Sequence, residues 1–260
     1  MKPFVPTLAL LAFCCTAPSY ASIACEVKSG AATAALVELY TSEGCSSCPP
    51  ADQALSQLRR RLPAGAVLVP LALHVGYWNQ LGWADPYAQA TFDQRQQRLL
   101  EGKAHHVVYT PQFFVNGEEL RDWPQALPAA IQRINATPAP LAITLSARPA
   151  DAGAVTLEAQ ASAADGRTAG QLYVALTESG LASHVLRGEN GGATLHHDDT
   201  ARLWLGPVAL RAGQATLRQR VTLPAGWRRE RLQAVALVQA DNDGAVLQAV
   251  STAQCDGRVL

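Results

Sequence analysis

The sequence has no excess charge of either sign: 21 Lys and Arg stand against 21 Asp and Glu over 260 residues. It has no run of five basic residues, and its densest basic patch, Arg228, Arg229 and Arg231, reads as a solvated face. A dedicated nucleic-acid or anionic-membrane binder needs a basic surface to displace counterions, so neither class fits. Neutrality also removes long-range electrostatic steering as a basis for partner choice. There is no internal repeat, no low-complexity tract and no apolar run of the roughly 20 residues that a membrane-spanning helix requires. Methionine occurs only as Met1, so no second cluster of soft metal ligands accompanies the cysteines.

What is present is the composition of a folded chain: 48% hydrophobic residues with 19 Gly and 16 Pro, enough for one large or two modest domains. The first two dozen residues are set apart. Lys2 is followed by the short apolar run Leu8-Ala-Leu-Leu-Ala-Phe13, then by the small-x-small sites Ser19-Tyr-Ala21 and Ser22-Ile-Ala24, the plan of a secretory signal at 1–24. The mature protein is therefore expected to be exported, periplasmic or secreted, with no membrane span. Cleavage after Ala24 would expose Cys25 as in a lipoprotein, although Ser22 stands where a lipid-attachment box prefers Leu.

Of the 6 cysteines, Cys14 and Cys15 leave with the signal, and Cys25, Cys45, Cys48 and Cys255 remain. Cys45 and Cys48 form a Cys-x-x-Cys, so the economical pairing joins Cys25 to Cys255 as a structural disulfide; two free thiols is the alternative.

Apolar runs at 34–40 and 66–74 read as buried strands. Between them residues 51–62 place Leu55, Leu58 and Leu62 at helical spacing, with Arg59, Arg60 and Arg61 in the last turn. Asp85-Pro86 reads as N-cap and first residue of a helix through about Leu100. Residues 110–120 give an apolar strand and an Asn-Gly hairpin, and Asp122 opens another helix. This alternation argues for an α/β domain over 25–137. After the stiff Ala136-Thr-Pro-Ala-Pro140, the helical pattern stops, and about seven short strands between 141 and 251 suggest an all-β, sandwich-like domain over 138–260.

The chemistry concentrates at Cys45-Ser-Ser-Cys48, between a strand and a helix. A helix start stabilises a thiolate, and the two-residue spacing lets Cys48 resolve a mixed disulfide formed by Cys45. Taken alone, a Cys-x-x-Cys does not separate a redox pair from a stabilising disulfide or half of a metal site. With Thr110-Pro111 before an apolar strand and an Asn-Gly hairpin, the order resembles the thioredoxin superfamily. That resemblance implies a thioredoxin-like N-terminal domain, a cis Thr110-Pro111 beside the redox pair and a backbone there that receives an extended partner. Ser46-Ser47 replaces the Gly-Pro of thioredoxins themselves.

Longer motifs, Leu39-Tyr-Thr-Ser-Glu-Gly-Cys-Ser-Ser-Cys-Pro-Pro-Ala-Asp52, His74-Val-Gly-Tyr-Trp-Asn-Gln-Leu-Gly-Trp-Ala-Asp-Pro86, Arg95-Gln96, Val108-Tyr-Thr-Pro-Gln112 and Gly188-Glu-Asn-Gly-Gly192 with His196, are similar to those of the exported family labelled domain of unknown function 1223. Gly76 departs from that pattern, which places an acidic residue there.

The expectation is an exported thiol–disulfide oxidoreductase with Cys45, Cys48, Thr110 and Pro111 at its site, no cofactor and no bound metal. Its partner would be a protein bearing a thiol or disulfide, or a small thiol. The alternatives are a non-catalytic envelope binding module and a copper or zinc carrier using Cys45, Cys48 and His74. His74, Tyr77, Trp78 and Trp83 are read as a packed wall near the pair, Glu43 as a modulator of Cys45 or a solvated loop carboxylate. His196, His197, Asp198 and Asp199 are read as loop polarity.

Overall fold

The structure, a computed structural model, describes Met1, residues 25–151 and residues 153–255, so the cleavage sites and apolar run of the expected signal lie outside the described residues. The chain is mixed α/β and consists mostly of strands. The N-terminal half contributes β1 (Cys25–Lys28), β2 (Ala35–Thr41), α1 (Pro49–Arg61), β3 (Leu68–His74), α2 (Ala90–Leu100), β4 (Gln112–Val115), β5 (Glu118–Glu119) and α3 (Trp123–Asn135). The C-terminal half contributes β6 (Ala142–Ala150), β7 (Ala154–Ser162), β8 (Gln171–Glu178), β9 (Leu181–His184), β10 (Thr194–His197), β11 (Thr200–Ala209), β12 (Gln214–Thr222), β13 (Leu232–Gln239) and β14 (Val246–Ser251).

An eight-stranded sheet runs β14-β13-β8-β11-β3-β2-β4-β5. Strands β2 and β3 are buried along their whole length, as central strands covered on both faces must be, and they pair in parallel. Strand β11 joins β3 in parallel at Thr200 and Ala72, so strands from both sides of residue 137 share this sheet. A four-stranded antiparallel sheet, β1-β6-β7-β12, likewise takes β1 from the N-terminal side. Among the described residues, strands β9 and β10 pair only with each other.

The residues sort into three layers. Leu36, Tyr40 and Leu73 face Phe92 and Leu99 of α2, whereas Val37, Leu39 and Ala72 face Leu55 and Leu58 of α1 and Ile131 of α3. Toward the β14 end, Val174, Leu176, Ala234 and Ala236 pack against Ile143, Leu145 and Leu157 of the four-stranded sheet. Among buried charges, Arg95 donates to Glu38 from Nε at 2.6 Å and from Nη2 at 3.0 Å, and to Gln239 at 3.0 Å, tying α2 to β2 and β13. The bidentate contact gives the buried Glu38 carboxylate a cationic partner in the middle of a sheet.

Local chemistry sets the ends that matter for the site. Pro49 and Pro50 occupy the first two positions of α1, where their missing donors cost nothing, and Arg59, Arg60 and Arg61 lie in its last turn. Asn116 and Gly117 turn β4 into β5 with left-handed φ values of 48° and 87°, the geometry that an Asn-Gly pair favours. A Cβ on Gly117 would fall 2.3 Å from the Gly244 carbonyl. Helix α2 begins at Ala90, four residues later than the Asp85-Pro86 signal predicts, with Gln89 at its N-cap. Asp85 is engaged elsewhere.

Candidate functional site

The site lies beyond the C-terminal ends of β2 and β3, where the chain turns into α1. Cys45 and Cys48 are joined in a disulfide with Cα atoms 5.4 Å apart, and Cys25 is joined to Cys255 with Cα atoms 6.1 Å apart. Cys48 is the N-cap of α1. Cys45 lies one turn earlier, its N–H already donated to the Ser42 carbonyl at 3.2 Å and its Sγ 3.4 Å from the Ser47 hydroxyl. Helix-start polarity therefore bears most directly on Cys48, whereas the sequence reading places Cys45 at the helix start. Both cysteines have 0% exposure, while Ser46 and Ser47 between them are exposed.

The Thr110-Pro111 peptide is cis. Trp78 brings this segment to the disulfide loop: its Nε1 donates to the Thr110 hydroxyl at 2.8 Å, and its Cβ lies 3.1 Å from where a Cβ on Gly44 would stand. Helix α2 holds the same segment from behind, with Gln96 Nε2 donating to the Tyr109 carbonyl at 2.8 Å and to Gln112 at 2.7 Å. Trp78 thus touches both the Thr110 side chain and the Gly44 backbone next to Cys45.

Beneath the disulfide is a layer of buried polar side chains that no local motif shows. Glu43, 0% exposed, accepts from Trp83 Nε1 at 2.7 Å and pairs with His197 Nε2 at 3.0 Å, so it is not a solvated carboxylate. His74 Nδ1 pairs with Asp85 at 2.7 Å, and Asp85 also accepts from the N–H groups of Glu43 and Tyr87. The His74 and His197 rings meet edge to face at 4.8 Å, each also against Tyr87. Asp52 is one helical turn beyond Cys48, its N–H bonded to the Cys48 carbonyl at 3.1 Å, so the two side chains are neighbours on one helix face.

Thr41 Oγ1, Asp52 Oδ1, His74 Nε2, His197 Nδ1 and Thr200 Oγ1 are buried without hydrogen-bond partners among the described residues. Thr41 pairs in register with His74 across β2 and β3, and Thr200 lies opposite Ala72, two residues away on the same strand. Such atoms ordinarily cost about 1–3 kcal/mol each. Asp52, His74 and His197 among them are titratable, and Asp52 stands one turn from Cys48. Among the described residues, no group of three or more His, Cys, Asp or Glu side chains is placed to hold a metal ion.

These groups carry a stability signature. Burial pushes the Asp52 carboxyl up despite its histidine neighbours, and burial pushes Asp199 up to about 7. For His74, burial opposes the charge, but the Asp85 carboxylate outweighs it and raises the imidazole above its ordinary value. A raised His contributes stability below its unfolded pKa, about 6.5, that is lost as pH climbs through the folded value; a raised carboxyl disfavours the fold increasingly as pH climbs past its unfolded value, about 4. All three effects have one sign. The urea midpoint is expected to fall between pH 5.5 and 8.5, and an Asp199→Asn variant should fall less; a midpoint that rises over this range would refute the assignment.

A loop from the C-terminal half lies across the disulfide segment. Asn190 Nδ2 donates to the Glu43 and Cys45 carbonyls, each at 2.9 Å, and Glu189 accepts from the Ser46 N–H at 2.9 Å and hydroxyl at 2.7 Å. Those two bonds hold the Glu189 carboxyl below the ordinary range. Gly188 and its neighbours are thus structural partners of the cysteine loop. Glu189 and Ser46 are 143 residues apart in sequence, and no local spacing reveals a relation of that kind.

Comparison with solved structures finds the same overall shape in two proteins. The crystal structure of a protein from Agrobacterium tumefaciens matches with a TM-score of 0.61 at 23% identity, over 86% of this chain and 95% of that one. HBP35 of Porphyromonas gingivalis matches with a TM-score of 0.67 at 16% identity, over 85% of this chain and 75% of that one. At these identities the likeness is one of fold alone. No curated protein matches the chain. Residues 36–239, which include the cysteine loop, the Trp78 segment, the cis turn and the Gly188 loop, match the family described as Protein of unknown function (DUF1223), and the chain belongs to that family.

Proposed function

We propose that this protein is an exported thiol–disulfide oxidoreductase, a thioredoxin-like unit over 25–137 followed by a β-rich, sandwich-like unit over 138–260. The observation that carries this reading is the Cys45–Cys48 disulfide at the start of α1 with the Thr110-Pro111 segment tied to the same loop through Trp78. Export is supported by the second disulfide, Cys25–Cys255, a bond that persists in oxidising compartments; no helix among the described residues is long and apolar enough to cross a membrane.

In the reaction, a partner thiolate attacks one sulfur of the oxidised pair. A bond forms to that sulfur, the Cys45–Cys48 bond breaks, and the departing thiolate takes a proton. Asp52 is one turn from Cys48, and burial raises its carboxyl above the ordinary range, which suits it to exchange that proton in either direction. A second partner thiol then attacks the partner's sulfur in the mixed disulfide, forming the partner's disulfide and releasing the bound cysteine as a thiol, so two electrons pass in all; in the reverse direction the second cysteine resolves the mixed disulfide.

In thiol buffers of graded potential, wild-type Cys45–Cys48 is expected to interconvert between disulfide and dithiol in one two-electron transition. A Cys48→Ala variant should accumulate a mixed disulfide on Cys45. If the pair neither titrates nor forms that adduct, the oxidoreductase reading fails. The complete burial of both sulfurs favours a second reading, an envelope binding module in which the pair is structural. Undiminished biological function in a Cys45→Ala/Cys48→Ala variant would decide for it.

A further inference from the structure

Attack on a disulfide proceeds along the S–S axis, so the attacking thiolate must reach one sulfur from outside. Here both cysteines have 0% exposure. The loop between β9 and β10 is hydrogen-bonded onto the backbone of residues 43–46 from more than 140 residues away. The Gly192 N–H is bonded to the Val185 carbonyl at 2.8 Å and the Gly191 N–H to the Gly188 carbonyl at 3.1 Å. Closed on itself in this way, the loop can move as one piece. Its strands pair with no other strand among the described residues, and a lone two-stranded ribbon is marginal, so its position depends on what it is tied to. The ties at its tip are Glu189 and Asn190. Left-handed residues flank the ribbon at both ends, Gly180 with φ 69° and Asp199 with φ 51°, and the buried Glu43–His197 contact anchors its base. Leu186 on the same loop is 67% exposed, while Val185 before it is buried and marks the fixed end of the mobile part.

We propose that residues 186–192 form a lid over the Cys45–Cys48 disulfide, latched by Glu189 on Ser46 and by Asn190 on the Glu43 and Cys45 carbonyls, and that it must lift before a thiol can react. This inference rests on the oxidoreductase reading and adds its regulation. The latch is made wholly from the C-terminal half, which gives that half a role at the redox site. Lifting frees the Ser46 N–H and the two carbonyls together with the path to sulfur. A partner that competes for those three backbone groups would open the lid, whereas a small thiol would wait for spontaneous opening.

The test is the rate at which dithiothreitol reduces each disulfide of the oxidised full-length protein, followed by acid quench and alkylation. Reduction transfers two electrons and two protons from the dithiol, which closes to its cyclic disulfide. With each lost hydrogen-bonding anchor favouring the open form several-fold, a Glu189→Ala/Asn190→Ala variant should reduce Cys45–Cys48 at least about tenfold faster. The Cys25–Cys255 rate should be unchanged, which separates lid opening from general loosening. The Glu189→Gln substitution, at an exposed position, should give a smaller rise of the same sign. If Cys45–Cys48 is reduced at the wild-type rate in both variants, the lid is refuted and the oxidoreductase reading stands. If the pair resists reduction in wild type and variants alike, and yields only in urea, both fall.

Discussion

Replacing Asp85 with alanine is expected to lower stability by about 3–5 kcal/mol, the range for breaking a buried ionic contact by removing one partner. The side chain is 0% exposed and serves three segments at once. Its Oδ2 accepts from His74 Nδ1 at 2.7 Å, at the end of β3, and from the Glu43 N–H at 2.9 Å, in the turn before Cys45; its Oδ1 accepts from the Tyr87 N–H at 2.8 Å. Alanine leaves two backbone donors and an imidazole nitrogen buried without an acceptor, and unmade bonds of that kind cost more than made ones contribute. The histidine also loses the carboxylate that raises its pKa, so the decline in stability toward alkaline pH should flatten in the variant. Asp85→Asn keeps an acceptor oxygen of the same shape and should recover roughly half the loss while flattening the pH dependence equally. Urea unfolding at pH 5.5 and 8.5 measures both. A loss below about 1 kcal/mol for the alanine variant, no more than one ordinary hydrogen bond, would mean that Asp85 is not the hub of the polar layer.

Asp85 also shows why parts of this protein are legible in sequence and parts are not. Read locally, Asp-Pro before an amphipathic stretch is a helix cap, yet both its oxygens are committed to partners up to 42 residues away, and α2 starts at Ala90 instead. Features set by neighbouring residues are readable: the spacing predicts a helix over 51–62, and α1 spans Pro49–Arg61 with Leu55 and Leu58 buried as that spacing requires. Asp52 is findable the same way, because position i+4 from Cys48 on a helix is adjacent to it. The hairpin of β9 and β10 is not readable, since each strand has only 4 residues, too few for alternation to stand out. Pairings between distant segments leave no local signal at all. Strand β11 beside β3, Asn190 on the Cys45 carbonyl and Glu43 with His197, the last pair 154 residues apart, assemble the polar layer and the lid. Composition changes after residue 137, yet hydrogen bonding between strands continues across that point.

The two disulfides are expected to contribute very differently to stability. Cys25 and Cys255 are 230 residues apart in sequence, Cys45 and Cys48 only 3. In the chain-entropy account, crosslinking a loop of the first size removes about 5 kcal/mol of freedom from the unfolded state, and one of the second size about 2 kcal/mol. The folded state gives each bridge a matching place. Cys25 begins β1, paired with Ala147 at the edge of the four-stranded sheet, and Cys255 follows the turn after β14, the last strand of the large sheet, so the long bridge joins the edges of two sheets. The short one closes a single turn at the start of α1. A Cys25→Ala/Cys255→Ala variant should therefore lose about 5 kcal/mol by urea unfolding, while Cys45→Ala/Cys48→Ala, compared at the same pH and temperature, should lose about 2 kcal/mol. This asymmetry suits the roles proposed for them, because a pair that cycles between disulfide and dithiol must leave the fold standing in both states. Equal losses, or a larger loss from the short bridge, would make Cys45–Cys48 a structural crosslink and shift the balance toward the binding-module reading.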